Sequence, residues 1–507
     1  MSSSRLNEQK EEEEGEIPST SLSSNPEQKL LMPVVPAPQS LSECYLGTSA
    51  ESNDDQNESP VELEQFLDQV QECHSYPLFI TTSMAFLWGL VALTAISPAF
   101  LAGTCTNCSF LNIQSEFHIK HPLMDPSETT TSAYFLGNLV IGQLYATLAD
   151  RFGRRPVVLS SLFFAGATGV AAALAPTYEL FILARFLQGS FFTPLTTVNW
   201  VLCNESMPVK THGFVSAMFG VFWVFGYCIL APMSLVFNTW RSLQTATSVP
   251  AFIVAFILFF TLPESIAFSV ERQNRREVEK WINNYEKVSR VRLNYDLDRI
   301  MSVTDTVYEK LSFHQIFSRI RNQKKVMIYT GIETVIWVID FMAYCALSVT
   351  STAVGSSDPL LSFVFSGFVE LPAYILIPIS LRFFKRKTLV MGCHGGGAMA
   401  LMAIFFLADD SHSMHLPLWL IAKFFAASCY ILCFICGSEL FPTFCRSFCM
   451  GICATFCNIG AIVSPHVFLM DSIYPQATFI FLASCACFVV ILVPILPETE
   501  SGHVAKE

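Results

Sequence analysis

Asp150-Arg151-Phe152-Gly153-Arg154-Arg155-Pro156 is a short stretch pinched between two apolar runs, each long enough to cross a bilayer. A connection this short can only join two antiparallel helices, so the chain must cross the membrane and return. Gly153 permits the tight turn. Arg151, Arg154 and Arg155 place the loop on the cytoplasmic side, where positive charge is retained. Asp150 stands at a helix end, where its carboxylate can pair with an arginine or face another helix's N-terminal dipole. Apolar runs of about 20 residues, the length a bilayer demands, recur near 78–102, 131–149, 156–175, 178–202, 213–237, 241–262, 325–349, 360–381, 388–408, 416–438, 447–468 and 476–496. The pattern predicts an all-α polytopic membrane protein with 12 transmembrane helices in two six-helix halves.

Composition agrees. Of 507 residues 52% are hydrophobic and only 14% charged, against about 25% charged in soluble domains. The net charge of -12 lies largely in the first 60 residues, a polar, Ser-, Glu- and Pro-rich tail that is too hydrophilic to fold. Nucleic acid is therefore not an expected partner. The expected division is a disordered acidic cytoplasmic tail at 1–60, an amphipathic helix lying on the inner membrane surface at 61–77, and a six-helix half at 78–262. A cytoplasmic loop at 263–324, a second half at 325–497 and a short tail at 498–507 follow. Arg and Lys crowd the segment 263–324 and the loop Arg382–Lys387, whereas Asp358, Asp409, Asp410 and Asp471 lie on the opposite side, so both termini are expected in the cytoplasm. Most of the 17 cysteines fall inside apolar runs and read as small buried hydrophobes. Cys105 and Cys108 lie in an external loop, where pairing is undecided, as is use of the sequon at Asn107.

The halves echo each other. Leu183-Ala184-Arg185-Phe186 precedes Glu205, and Ile421-Ala422-Lys423-Phe424 precedes Glu439. Parallel repeats of this kind put a substrate site between the halves near the bilayer midplane.

Bond-making chemistry has no visible support: no Walker-type glycine loop, metal-ligand spacing or nucleophile elbow appears, so neither an enzyme nor a bound cofactor is expected. Ionisable residues within the spans carry the signal instead, since a charge at the bilayer centre costs at least about 2.5–3.5 kcal/mol. Glu333, Trp337, Asp340 and Tyr344 recur at helical spacing and share one face of the seventh span, a stripe able to hold a cation by charge and ring. Glu370 lies mid-span two residues before Pro372, which removes a backbone donor and kinks the helix. It is the carboxylate expected to recognise a cation or to gate. Lys423 is read as its neutralising partner, or that of Asp340, and otherwise as a ligand for a substrate carboxylate. Arg185 is expected to pair with Asp150 or Glu205, and His394 to be a hydrogen-bonded residue of a supporting helix.

Several segments together resemble the major facilitator superfamily, and within it the organic ion transporter family. They are the loop Asp150–Pro156, Asn112-Ile113-Gln114-Ser115-Glu116-Phe117, Trp240-Arg241-Ser242-Leu243-Gln244, Pro263-Glu264-Ser265, Glu439-Leu440-Phe441-Pro442-Thr443 with Arg446, and Pro497-Glu498-Thr499. Val369-Glu370-Leu371-Pro372-Ala373-Tyr374 and Tyr344-Cys345-Ala346-Leu347-Ser348 look most like the organic cation and carnitine branch. The resemblance implies a secondary-active or facilitative carrier of small organic cations or zwitterions, carnitine-like, working by alternating access. It implies a sodium or proton coupling ion and residence in the plasma membrane. It further implies a latch built from Asp150, Arg151, Gly153, Arg154, Arg155, Glu205, Arg241, Glu264, Glu439 and Arg446.

The departures bear on substrate. Anion carriers of the family place a lysine at Tyr374; cation carriers have Asp at Asn458, and anion and zwitterion carriers Arg. Substrate contacts are thus expected from Glu370, Asp340, Trp337, Tyr344, Tyr374, Lys423 and Asn458. The second copy of the loop decays to Arg382-Phe383-Phe384-Lys385-Arg386, without Asp or Gly, which predicts that the first copy carries the latch. The alternatives are a carrier of organic anions or sugar-like solutes, or a transporter-shaped sensor or vesicle protein that moves nothing.

Overall fold

The computed structural model describes residues 66–67, 75–101, 113–118, 126–208, 211–293, 295–302, 320–321, 323–352, 358–381, 383–407, 412–441 and 445–498. Ten helices among them are long and apolar enough to cross a membrane. The spanning helices are α1 Ser75–Leu101, α2 (126–152), α3 Arg154–Leu174, α4 (178–204), α5 His212–Val236, α6 Trp240–Thr261, α7 Lys324–Thr352, α8 Pro359–Ser380, α9 Arg386–Leu407, α10 His412–Leu440, α11 Arg446–Val463 with its extension to Ser472, and α12 Ala477–Ile495. The second and fourth spans are not continuous α-helices: π turns at Asn138–Gly142 and Pro194–Val198 interrupt them. Pro194 opens the second of these, where its missing N–H leaves one α-helical bond unmade.

Each half packs around close helix pairs. A Cβ at Gly226 of α5 would meet the carbonyl oxygen of Gly89 in α1 at 2.1 Å, and one at Gly460 of α11 would meet that of Val338 in α7 at 2.1 Å. The two contacts occupy equivalent helix pairs, first with fifth and seventh with eleventh, so the duplication seen in sequence extends to backbone approach. Small residues do this where no water is available to drive helices together. Phenylalanines and leucines such as Phe256, Phe260, Leu144 and Phe406 point outward instead, as a lipid-facing surface requires.

After α6 the chain forms short helices at Ile266–Glu271, Arg275–Ser289 and Leu297–Ser302. In the middle one Val278, Trp281, Ile282 and Tyr285 recur every three or four residues and are buried. Trp281 packs edge-on to Tyr76 of α1 at 5.7 Å and to Phe66 at 6.5 Å. Of the segment 61–77, Phe66 and Leu67 are described and buried, and Ser75, Tyr76 and Pro77 form the start of α1. The remainder of that segment, the tail at 1–60, Cys105, Asn107, Cys108, Arg382, Asp409, Asp410, Pro442, Thr443 and Thr499 lie outside the described residues.

Candidate functional site

Midway through the bundle, Lys423 of α10 and Glu370 of α8 are both wholly buried, with Lys423 Nζ 3.0 Å from Glu370 Oε1. The pair is an ion contact without hydrogen-bond alignment, because Oε1 has no hydrogen-bond partner. Lys423 instead donates to Ser348 Oγ and sits 3.7 Å above the Tyr344 ring, with Tyr227 at 5.9 Å. Tyr344 donates to Glu370 Oε2 at 3.1 Å and accepts from the Trp223 indole at 3.0 Å. Trp223 and Tyr227 belong to α5, so this network joins the halves. Tyr227 adds bonds to Ser348 O, Ser351 and Ser366. The ion pair is thus enclosed by aromatic rings and hydroxyls, the surroundings in which cation–π attraction is strongest.

Local sequence explains how Glu370 gets there. Helix α8 is interrupted at Val369, and Pro372 cannot donate back to Phe368 O. Tyr374 packs on Gly220 of α5, where a Cβ would meet its ring at 3.2 Å. Asn458 of α11 accepts from Asn138 at 2.8 Å, and Asn138 Oδ1 accepts from Thr193 Oγ1 and N at 2.8 and 3.1 Å. The amide pair bridges the halves at the π turn of α2. Phe341, Tyr430 and Tyr344 form a stack, with Tyr430 5.0 Å from Phe341 and 5.5 Å from Tyr344.

The four side chains of the seventh-span stripe are not brought together in one cluster. Only Tyr344 joins Glu370 and Lys423. Trp337 donates to Glu333 at 3.2 Å, and both are buried. Asp340 is bonded to His394 Nε2 at 2.8 Å and accepts from Cys433 at 2.9 Å. Helical spacing aligned the four residues, but Glu333 and Trp337 bond to each other within α7, while α9 and α10 supply the partners of Asp340 and α8 a partner of Tyr344. Arg185 also departs from expectation: its partners are Gln188 Oε1 at 2.8 Å, Thr94 O at 3.2 Å and the Tyr134 ring at 4.9 Å. Glu205 is engaged elsewhere.

Glu205 receives Arg154, Nε to Oε2 and Nη2 to Oε1 both at 3.1 Å. Asp150 adds 3.4 Å to the same guanidinium, which lies 4.5 Å from the Phe268 ring. Glu264 Oε1 accepts the backbone N–H groups of Arg154 and Arg155, each at 3.0 Å, closing the start of α3. Burial raises the Glu264 carboxyl above its ordinary pKa, and these bonds and the Arg154 charge only partly offset it. Gly153 adopts φ 106, and a Cβ there would lie 2.4 Å from Glu264 Oε2. Arg155 reaches Phe259 O at 2.5 Å, and Arg272 ties down the carbonyls of Asp150 and Arg151.

The second copy keeps its ion pair, contrary to its decayed sequence. Arg386 meets Glu439 through two parallel bonds of 3.0 Å. It also donates to Leu381 O, five residues back, as Arg154 does to Ala149 O. Losing the Asp and Gly cost the turn its shape but not the arginine that reaches the glutamate. Arg446 donates to Phe441 O at 3.3 Å. Arg241 stands at the opposite face from these arginines, holding Glu116 at 2.7 Å beside Trp240 and capping the carbonyls of Ala173 and Ala175. Burial pushes the Glu116 carboxyl up, but the bonds from Arg241 and Trp240 with the Arg241 charge outweigh it and hold it below the usual range. Trp223, Tyr227 and Asn138 were missed from sequence, and Ser348 and Arg386 were given no role of their own. Ser348 left a trace as the end of the segment Tyr344–Ser348, and Arg386 as the last residue of the degenerate loop.

Comparison with known proteins agrees with the geometry. Residues 78–465 match the model of the Major Facilitator Superfamily. "Putative transporter B0252.3" of Caenorhabditis elegans is 29% identical over 454 residues, covering 90% of this chain and 92% of that protein. "Solute carrier family 22 member 15-like" of Xenopus tropicalis is 27% identical, covering 78% and 81%. The xylose transporter XylE of E. coli, in a partially occluded inward open conformation, superposes with a TM-score of 0.61 at 16% identity, covering 85% of this chain and 100% of that one. The chain belongs to the Major Facilitator Superfamily and is a multi-pass membrane transporter of that type.

Proposed function

We propose that this protein carries small organic cations or zwitterions, carnitine-like molecules among them, by alternating access between its two halves. One observation carries the reading: a lysine and a glutamate, both wholly buried, meet at 3.0 Å inside a cage of Tyr344, Tyr227 and Trp223. A buried ion pair is a weak source of stability, since desolvation offsets most of its attraction. It is, however, a ready pair of exchangeable ligands. A substrate ammonium competes with Lys423 for Glu370 and the rings, and a substrate carboxylate competes with Glu370 for Lys423. An organic anion would engage Lys423 alone and leave Glu370 uncompensated. Trp223 and Tyr227 come from one half and Tyr344, Glu370 and Lys423 from the other, so a ligand here touches both moving parts.

In this reading Arg154–Glu205 and Arg386–Glu439 act as paired latches on the arginine-rich face, which we assign to the cytoplasm with both termini, in the plasma membrane. Asn138–Asn458 and the Ser132–His466–Glu128 contacts hold the halves together nearer the other side. The retained second latch argues against a chain that has lost its transport machinery.

Uptake of a labelled permanent cation, carnitine and an organic anion in cells at matched surface expression tests the reading. Wild type should take up cation or carnitine, and Glu370→Gln should abolish it, while Asn458→Arg should reduce the permanent cation more than carnitine. Anion uptake indifferent to Glu370→Gln would overturn it.

A further inference from the structure

Away from the Glu370 cage, α7, α9 and α10 bury a second set of ionisable groups. His394 Nδ1 lies 2.8 Å from Val390 O, which can only accept, so Nδ1 carries a proton. His394 Nε2 lies 2.8 Å from Asp340 Oδ1, and both residues are 3% exposed. That short contact requires one further proton between them: an imidazolium facing a carboxylate, or an imidazole facing a carboxylic acid. Either way the pair is neutral. Without that proton, a carboxylate would face a nitrogen lone pair in the membrane interior, turning an attraction between α7 and α9 into repulsion.

A cavity of about 40 Å³ adjoins the pair, lined by Asp340, Glu333, Cys429, Cys433 and Arg386 among others. It exceeds the roughly 10–15 Å³ that one water needs. Arg386 also belongs to the latch with Glu439 and is partly exposed, so the cavity links the pair to the arginine-rich face.

We propose that Asp340 and His394 form a proton-binding site, loaded through this cavity, that couples the carrier's movement to protons. Titratable groups face it from the surrounding helices. On α7, Glu333 is held by the Trp337 indole. On α9, Cys393 lies near Cys429 and Asp340, and Arg386 and Lys387 line the cavity, Arg386 being paired with Glu439. On α10, Cys429 and Cys433 contact His394 and Asp340, and Cys436 lies nearer Glu333. On α11, Cys453 faces Glu333. α12 contributes Val493 and Leu496. Thiols keep their protons below about pH 8, so the carboxyls Glu333 and Asp340 are the cavity groups able to exchange a proton; Glu333 is bonded within α7, whereas Asp340 is joined through its proton to His394 of α9. Four residues beyond Asp340 on α7, Tyr344 holds Glu370, so a shift of α7 reaches the substrate cage. The coupling rests on the transport reading above; the proton site itself does not.

The test uses the full-length protein in liposomes containing a trapped pH dye, with the membrane potential clamped. Adding carnitine to wild type should change the internal pH. Asp340→Asn reproduces the proton-loaded contact, since its amide donates to Nε2 and accepts from Cys433. It should therefore retain carnitine-for-carnitine exchange but lose the proton movement, and His394→Gln should lose the movement too. Carnitine entry in wild type without proton movement, proton movement persisting in Asp340→Asn, or a folded Asp340→Asn without exchange would each overturn the proposal. Should wild type carry no carnitine, the transport reading fails separately. The site is then read by pH-difference infrared spectroscopy of the purified protein, where a titrating carboxyl band lost in Asp340→Asn supports it and no such band overturns it.

Discussion

Arg185 and Lys423 stand at matching places in the two halves, in Leu183-Ala184-Arg185-Phe186 of α4 and Ile421-Ala422-Lys423-Phe424 of α10, and both are wholly buried. Their surroundings differ. Arg185 is satisfied by an amide, a backbone carbonyl and the Tyr134 ring, with Gln188 bonded in turn to Gln244. Lys423 is neutralised by a carboxylate. At this matching position the first half meets the buried charge with dipoles, and the second meets it with an opposite charge. Glu333, Asp340, Glu370 and His394 also lie buried in the second half. The halves share one framework, and among the described residues the second half holds the larger set of buried ionisable groups.

The largest effect that tests this contrast is removal of each cation. Lys423→Met strands Glu370 as an unpaired buried carboxylate, for which a stability loss of about 3–5 kcal/mol is expected. The double variant Lys423→Met/Glu370→Gln should recover most of it. Arg185→Met strands only neutral acceptors, at about 1–3 kcal/mol. Thermal unfolding of purified protein reads all three. Equal losses for the two single variants, or no recovery in the double, would break the comparison.

A middle-sized effect separates the two latch loops. Gly153 holds φ 106 with Glu264 against the space a Cβ would fill, so Gly153→Ala should cost about 1–3 kcal/mol. Lys385 precedes Arg386 as Gly153 precedes Arg154 and is exposed; Lys385→Ala should stay within about 0.5 kcal/mol. Matching losses in the same unfolding assay would mean that both turns are equally constrained.

The smallest effect concerns the opposite face, where the first half is clamped by Glu116 and Arg241. The Glu116 carboxyl is held below its ordinary value of 4.5. Its stabilising contribution is therefore present above pH 4.5 and fades as pH falls through the lowered value. Subtracting the pH–stability curve of Glu116→Gln from that of wild type should leave a difference of less than about 1 kcal/mol that vanishes in acid. A difference that grows on acidification would contradict the assignment.

Much of this could be read from residues alone. Glu370 and Lys423 were singled out because isolated charges cannot persist in an apolar span, and the structure places them together. The latch arginines were marked by their loop. The four-residue stripe of α7 was legible as a face but not as a site, because helical period says which residues align and nothing about what α8, α9 and α10 bring to them. Arg386 was discounted because the loop around it had lost its pattern, although a bidentate pair needs only a guanidinium at the right helix end.

Sequence by itself determined the twelve spans, the two halves and the placing of costly charges within them, because membrane length and the price of burying ions act on local composition. Only the tertiary structure decided partnership. It gave Glu370 the lysine, Asp340 the histidine and Arg185 three neutral groups. Such contacts depend on which faces of distant helices meet, and glycines such as Gly226 and Gly460 set how closely they do so.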